Sequence, residues 1–301
     1  MIVAGPIYRP WALARVLPSD RLLWGVLAVI AAIAAPWELA VAVDVRGLPQ
    51  VIAIVAGILL CRAIYVAARP DARTLHTLFE TAAGVIAYTA ILAPVSYLCA
   101  RNSMTPFDDA LRAGDAMLGF DWQGWADFVR QSPAAVSVLG FAYASLLPQT
   151  VLVLTILPLI GDGRRGFSLL RASLIAVIIA CAGSAAFPAA GPDAIHTDWY
   201  PHWAALRTGV PFTISLPEMQ GIIAFPSFHA SVALLLLYFM RGLGVVTWAF
   251  GVLELTMLVS TPSYGHHYLC DVIAGVVVAV VALMLTERLD RTFPVKMGRN
   301  R

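Results

Sequence analysis

Apolar residues along this chain come in long blocks. Eight blocks have helix-spanning length, near 22 to 43, 50 to 68, 77 to 99, 136 to 160, 167 to 189, 224 to 240, 243 to 260 and 267 to 286. A helix needs about 20 mostly apolar residues, at about 1.5 Å each, to cross hydrocarbon. Helices are the default there because lipid offers no partner to open backbone groups. The pattern predicts an all-α polytopic membrane bundle of about eight transmembrane helices.

Residues 105 to 132 differ, being too polar to cross yet carrying apolar side chains at helical spacing. Thr105-Pro106 predicts a helix start, with Phe107, Leu111, Gly114 and Leu118 on one face. Asp121 predicts a second start, with Trp122, Trp125 and Val129 as its stripe. Both read as helices on the outer membrane surface, with Asp108, Asp109, Arg112 and Asp115 mostly off the apolar face and solvated. Residues 1 to about 20, around Trp11, read equally as an inner-surface helix or a frayed tail.

Composition agrees: of 301 residues, 60% are hydrophobic and only 13% charged. The mean hydropathy of +0.80 excludes an ordinary soluble domain. The net charge of +2 says little, but its distribution orients the chain. With the N-terminus inside, 15 of the 20 basic residues fall on inner segments, and only Arg46, Arg101, Arg112, Arg130 and Arg207 fall outside. Both termini are expected to be cytoplasmic. The first block follows three arginines, as a signal peptide would, but it continues past Pro36 to Val43, so a spanning helix is expected. Cys61, Cys99, Cys181 and Cys270 have neither zinc nor disulfide spacing, and no nucleic-acid signature is present. The chain divides into two additional N-terminal helices (1–76), a six-helix core (77–286) and a basic cytoplasmic tail (287–301). Nothing in the chain fixes an oligomeric state.

Chemistry concentrates at the mouths of two late blocks. One opens Phe225-Pro226-Ser227-Phe228-His229, and the other follows Ser260-Thr261-Pro262-Ser263-Tyr264-Gly265-His266-His267-Tyr268-Leu269-Cys270-Asp271. One spanning block lies between them, so both mouths share one side, which the charge pattern makes the periplasmic one. Pro226 suits the first turn of a helix, and a helix N-terminus attracts phosphate. His267 and Asp271 are four apart, so on one helix face the carboxylate can hold one ring nitrogen and leave the other free to attack phosphorus. His229 is then placed to protonate a leaving oxygen. Glu254, mid-block, reads as a structural hydrogen-bonding residue, and Glu38 and Glu80 as carboxylates reaching interfacial water. Tyr143, Ser145, Pro148 and Gln149 read as packing and a kink, and the loop from about 190 to 223, with Trp199 and Trp203, as a lid or binding element.

The motifs Pro226-Ser227-x-His229 and His267-x-x-x-Asp271 resemble the second and third signatures of the type-2 phosphatidic acid phosphatase superfamily, integral membrane enzymes working through a phosphohistidine. The wording Phe-Pro-Ser-Phe-His with His-His-Tyr-x-x-Asp looks most like the inositol phosphorylceramide synthase branch, as does the stretch with Asp115, Gly119, Asp121 and Trp122. The resemblance implies His267 as nucleophile, Asp271 as its partner and His229 as acid, acting on a lipid phosphate without metal or cofactor. Two family cations are missing. The first signature's lysine and Arg-Pro are absent, Lys296 being the only lysine, and the usual Ser-Arg reads Ser260-Thr261. Phosphate contacts are therefore expected from Ser227, Ser263, Tyr264, His266 and Arg207. With fewer cations, a lipid phosphodiester or diphosphate passed to an alcohol is preferred over hydrolysis of a lipid phosphate. A zinc hydrolase using His229, His267 and Asp271, and a lipid or ion carrier, remain alternatives.

Overall fold

The computed structural model describes residues 20–69, 72–101, 104–198, 200–219 and 221–295. The expected surface helix around Trp11, most of the 70–71 turn, Trp199 and the tail from Lys296 lie outside the described residues.

Twelve α-helices occur among the described residues: α1 (Arg21–Ala40), α2 (Leu48–Ala68), α3 (Arg73–Ala100), α4 (Asp108–Met117), α5 (Trp122–Gln131), α6 (Pro133–Ala144), α7 (Leu146–Leu159), α8 (Gly163–Ala186), α9 (Tyr200–Arg207), α10 (Phe228–Phe239), α11 (Val245–Tyr264) and α12 (Leu269–Thr292). Two short strands, β1 (Val43–Arg46) and β2 (Phe212–Ser215), pair in parallel. Six helices among the described residues, α1, α2, α3, α8, α11 and α12, are long and apolar enough to cross a membrane, and α6 with α7 forms an apolar pair bent by 51°, which counts as a seventh if the pair is one span. The chain is an all-α polytopic membrane bundle. Of the eight expected spans, the sixth is shorter than expected, since α10 has only 12 residues.

The bend has a local cause. Pro148 cannot donate to the carbonyl of Ala144, and its ring would clash there, so α6 ends at Ala144. Ser145 closes the break, its hydroxyl donating to the Ala142 carbonyl (2.7 Å) and accepting from Gln149 Nε2 (2.7 Å).

Burial ranks the helices. In the apolar windows of α3 and α8, 56% and 61% of residues are buried, against 17% and 11% in α1 and α2. The first two helices therefore sit at the edge, and α3 and α8 at the centre. Buried charge ties that edge to the core. Asp20 takes a two-pronged bond from Arg171 (2.7 and 2.7 Å), and Arg62 pairs with Glu80 (2.9 Å). Glu80 is fully buried, so the expectation that it reaches interfacial water is corrected. Desolvation in lipid makes an unpaired charge costly, and each carboxylate here has a guanidinium instead. At the other end of the bundle the β1–β2 pair, in register Val43 with Phe212, joins the first helical hairpin to the 190–223 loop.

The two surface helices form, with differences. α4 begins at Asp108 with no side-chain cap, later than Thr105-Pro106 predicts, whereas Asp121 caps α5 as expected, accepting from the Gln123 N–H (3.1 Å).

Candidate active site

The two histidine signatures meet because glycine and serine let α10 and α12 touch. A Cβ at Gly275 would lie 2.3 Å from the Ser227 carbonyl, so only glycine fits. Ser231 donates its hydroxyl to the Gly275 carbonyl (2.8 Å), and the Ser227 N–H donates to the Asp271 carbonyl (3.0 Å). The mouths of the two helices are thereby fixed side by side.

Local geometry departs from expectation at both mouths. Pro226 does not occupy the first helical turn; Ser227 is the N-cap, its hydroxyl accepting from the Ala230 N–H (3.3 Å), and Pro226 precedes it against α8, where a Cβ on Gly183 would meet Pro226 Cδ at 2.6 Å. His267 does not share a helix with Asp271. It stands two residues ahead of Leu269, where α12 begins, and Asp271 lies in the first turn. The pair still forms, His267 Nδ1 standing 3.4 Å from Asp271 Oδ2, with both side chains buried. The same carboxylate oxygen accepts from the Tyr268 N–H (2.8 Å).

His229 is held by a residue that the sequence reading assigned only to packing. The Tyr143 ring stacks on the imidazole, centroids 4.2 Å apart and planes at 13°, and its hydroxyl lies 3.4 Å from His229 Nδ1. Tyr264 stacks on the far side of Tyr143 at 6.3 Å. A Cβ on Gly265 would touch both the His267 ring, at 2.5 Å, and the Tyr143 hydroxyl, at 3.0 Å. His229, Tyr143 and His267 are thus gathered at the mouths of α10 and α12, near enough for a charge on His267 to be felt at His229. Burial pushes His267 down to about 4, partly offset by the nearby Ala224 carbonyl, so its ring is neutral at pH 7.

Asp115 is the second site residue that sequence reasoning missed. It is not solvated: it is 3% exposed, and its oxygens accept from the Leu269 and Cys270 N–H groups (2.9 and 2.9 Å) at the start of α12. The signal was present, because Leu111 and Asp115 are four apart and so share the buried face of α4. Asp108 similarly accepts from the Ala190 and Gly191 N–H groups (3.0 and 2.8 Å). The α12 mouth therefore has its amides taken by carboxylates. Among the described residues, the Phe228 and His229 N–H groups at the α10 mouth donate to no carbonyl or side chain.

The remaining expected contacts have surroundings of their own. Ser263 donates to the Ser260 carbonyl (3.2 Å), and Tyr264 to the Val136 carbonyl (2.5 Å). His266 adopts a left-handed backbone (φ 50°) with its ring 6.3 Å from that of Trp122, and its buried Nδ1 has no partner among the described residues. Arg207, last residue of α9, lies over the Trp203 ring at 4.7 Å and donates to the Met104 carbonyl. Glu254 does not make the expected interhelical hydrogen bond: it is 1% exposed and, among the described residues, neither oxygen has a partner. Among the described residues, no three His, Cys, Asp or Glu side chains are grouped to hold a metal ion.

No curated protein and no solved structure matches the chain. A family model described as the PAP2 superfamily matches residues 109–285, a stretch that runs from α4 through α12 and holds both histidines, Tyr143, Asp115 and Asp271. The superfamily consists generally of phosphatases, which agrees with a membrane protein acting on a lipid phosphate. With more than half of its length inside that match, the chain belongs to the PAP2 superfamily.

Proposed function

We propose that this protein is a lipid phosphotransferase that works through a phosphohistidine on His267, with its site on the periplasmic side of a bacterial inner membrane. The observation that carries the reading is the buried His267–Asp271 pair beside the Tyr143-stacked His229. Asp271 on Nδ1 leaves Nε2 of His267 as the attacking nitrogen. As the bond from Nε2 to phosphorus forms, the bond to the leaving oxygen breaks, and His229, which enters the cycle as the imidazolium, gives that oxygen its proton. An acceptor hydroxyl then attacks the phosphoryl group and returns its proton to His229, and His267 is released neutral. The free amides of Phe228 and His229, with the Ser227 hydroxyl, are the donors best placed for the phosphoryl oxygens. Ser263, Tyr264, His266 and Arg207 stay in this reading as contacts to the wider substrate. The basic residues Arg165, Arg241, Arg288 and Arg291 belong to the opposite end of the bundle, which supports a non-cytoplasmic site.

The scarcity of cations favours a singly charged lipid phosphodiester as donor and an alcohol as acceptor; a lipid diphosphate, which carries at least two charges, is the second donor to compare. The test is to incubate purified protein with labelled lipid phosphodiesters, diphosphates and monoesters, with and without alcohols. The expected product is the alcohol joined to the transferred phosphoryl-bearing group, a new phosphodiester when the donor is a diester, with inhibition by vanadate and none by EDTA. Release of that group to water alone, as free phosphate from a monoester, replaces transfer by hydrolysis, and loss on chelation restored by zinc replaces both by a zinc hydrolase.

The state of His267 also sets an expected pH profile. A free imidazole titrates near 6.5, whereas burial holds this one neutral down to about 4. The nucleophile is present above that value and lost as pH falls through it, so the acid limb of kcat/KM is expected near 4. A midpoint above 6 would show that His267 is solvated or is not the nucleophile.

A further inference from the structure

The first turn of α12 is a helix N-terminus whose anion-binding groups are already occupied. The Tyr268 amide is held by Asp271, and those of Leu269 and Cys270 by Asp115, so three donors that would suit a phosphate meet carboxylates instead. α4 is pressed into place to do this. Leu111 packs with Tyr268, and a Cβ on Gly114 would come within 2.7 Å of Cys270 Sγ.

Capping alone does not call for a charge, since Asn and Ser cap a helix about as well as Asp. What an aspartate adds is a negative charge buried two and three residues beyond His267. Among the described residues no cation bonds Asp115: Arg46, Arg112 and Arg130 pair with Asp44, Asp109 and Asp127. Arg101 donates to the Gly209 and Val210 carbonyls and Arg207 to that of Met104, while Arg112 also stands beside Tyr268. A phosphoryl group approaching His267 therefore meets repulsion on the α12 side and open amides on the α10 side. That repulsion grows with the number of charges it carries.

The geometry points to Asp115 as a specificity-determining residue, which admits a singly charged phosphodiester to His267 and disfavours a doubly charged monoester or free phosphate. The inference rests on the phosphohistidine reading above and adds to it the charge class of the substrate and weak inhibition by phosphate.

The test uses the purified full-length protein in lipid nanodiscs, with p-nitrophenyl phosphate as the doubly charged probe and bis(p-nitrophenyl) phosphate as the singly charged one. Wild type is expected to show the higher kcat/KM on the diester. Asp115→Asn keeps a capping oxygen without the charge, and it is expected to narrow the diester preference about fivefold and to let inorganic phosphate inhibit at about fivefold lower concentration. Asp115→Ser is a second uncharged cap with the same expectation. Parallel loss on both probes with unchanged phosphate inhibition would reduce Asp115 to a structural cap. A wild type that prefers the monoester overturns the inference without any variant having to fold. His267→Ala with full turnover would instead sink the phosphohistidine reading, whereas an inactive His267→Ala beside an unmoved Asp115→Asn ratio sinks this inference alone.

Discussion

His267→Ala is expected to lower turnover roughly 10³-fold or more, because the proposed mechanism makes it the nucleophile and, among the described residues, no second histidine is held against a buried carboxylate in the same way. Its ring is buried against Asp271, and the neighbouring His266 faces Trp122 with a left-handed backbone. His229→Ala is expected to fall comparably on substrates with poor leaving groups, and less where the leaving oxygen needs no proton. That contrast separates the two imidazoles: the nucleophile is needed for every substrate, the acid only for a basic leaving oxygen. The measurement is kcat for both variants on an alkyl and a nitrophenyl ester. Equal losses for His229→Ala on the two esters would remove it from the acid role.

The second large effect is steric. Gly275→Val places a Cβ where 2.3 Å separates it from the Ser227 carbonyl, an atom of backbone that cannot swing aside. α10 and α12 must separate, and with them the two histidine-bearing mouths. A displacement of about 1 Å costs roughly 100-fold in rate where chemistry depends on alignment. Gly25→Val is the matched control, since a Cβ there meets nothing within 4 Å. The expected result is near-wild-type turnover for Gly25→Val and roughly 100-fold loss for Gly275→Val, measured as kcat in nanodiscs alongside a thermal melt. Equal activity in the two variants would mean that the close contact of these helices does not set the site.

Much of this was legible in the sequence because it depends on local pattern. Long apolar blocks announce spans whatever their packing, and the bend at Ser145 followed from a proline four residues past Ala144. The histidine signatures were legible as residue types at fixed spacing. What the spacing did not carry was backbone state. His267 and Asp271 were expected on one helix face, yet the helix starts between them, and a loop histidine reaches the same carboxylate. The contributions of Tyr143 and Asp115 depend on contacts across 86 and about 155 residues of chain, which no local periodicity encodes. Glu80 was misread for the same reason, since its partner Arg62 lies on another helix. The 190–223 loop was read as a lid or binding element, and its strand pairing with the first hairpin is again a long-range fact.

The most direct test of the central claim is to trap the phosphorylated protein. Purified wild type is mixed with a phosphorus-labelled lipid substrate, quenched in base within the first turnover, digested and analysed by mass spectrometry and phosphorus NMR. The account predicts an acid-labile, base-stable phosphoryl group on His267, carried on Nε2 because Nδ1 faces Asp271, and absent in His267→Ala. A phosphoryl group on Nδ1 of His267 or on any other residue, or turnover that proceeds with no phosphorylated protein at any time, would contradict it.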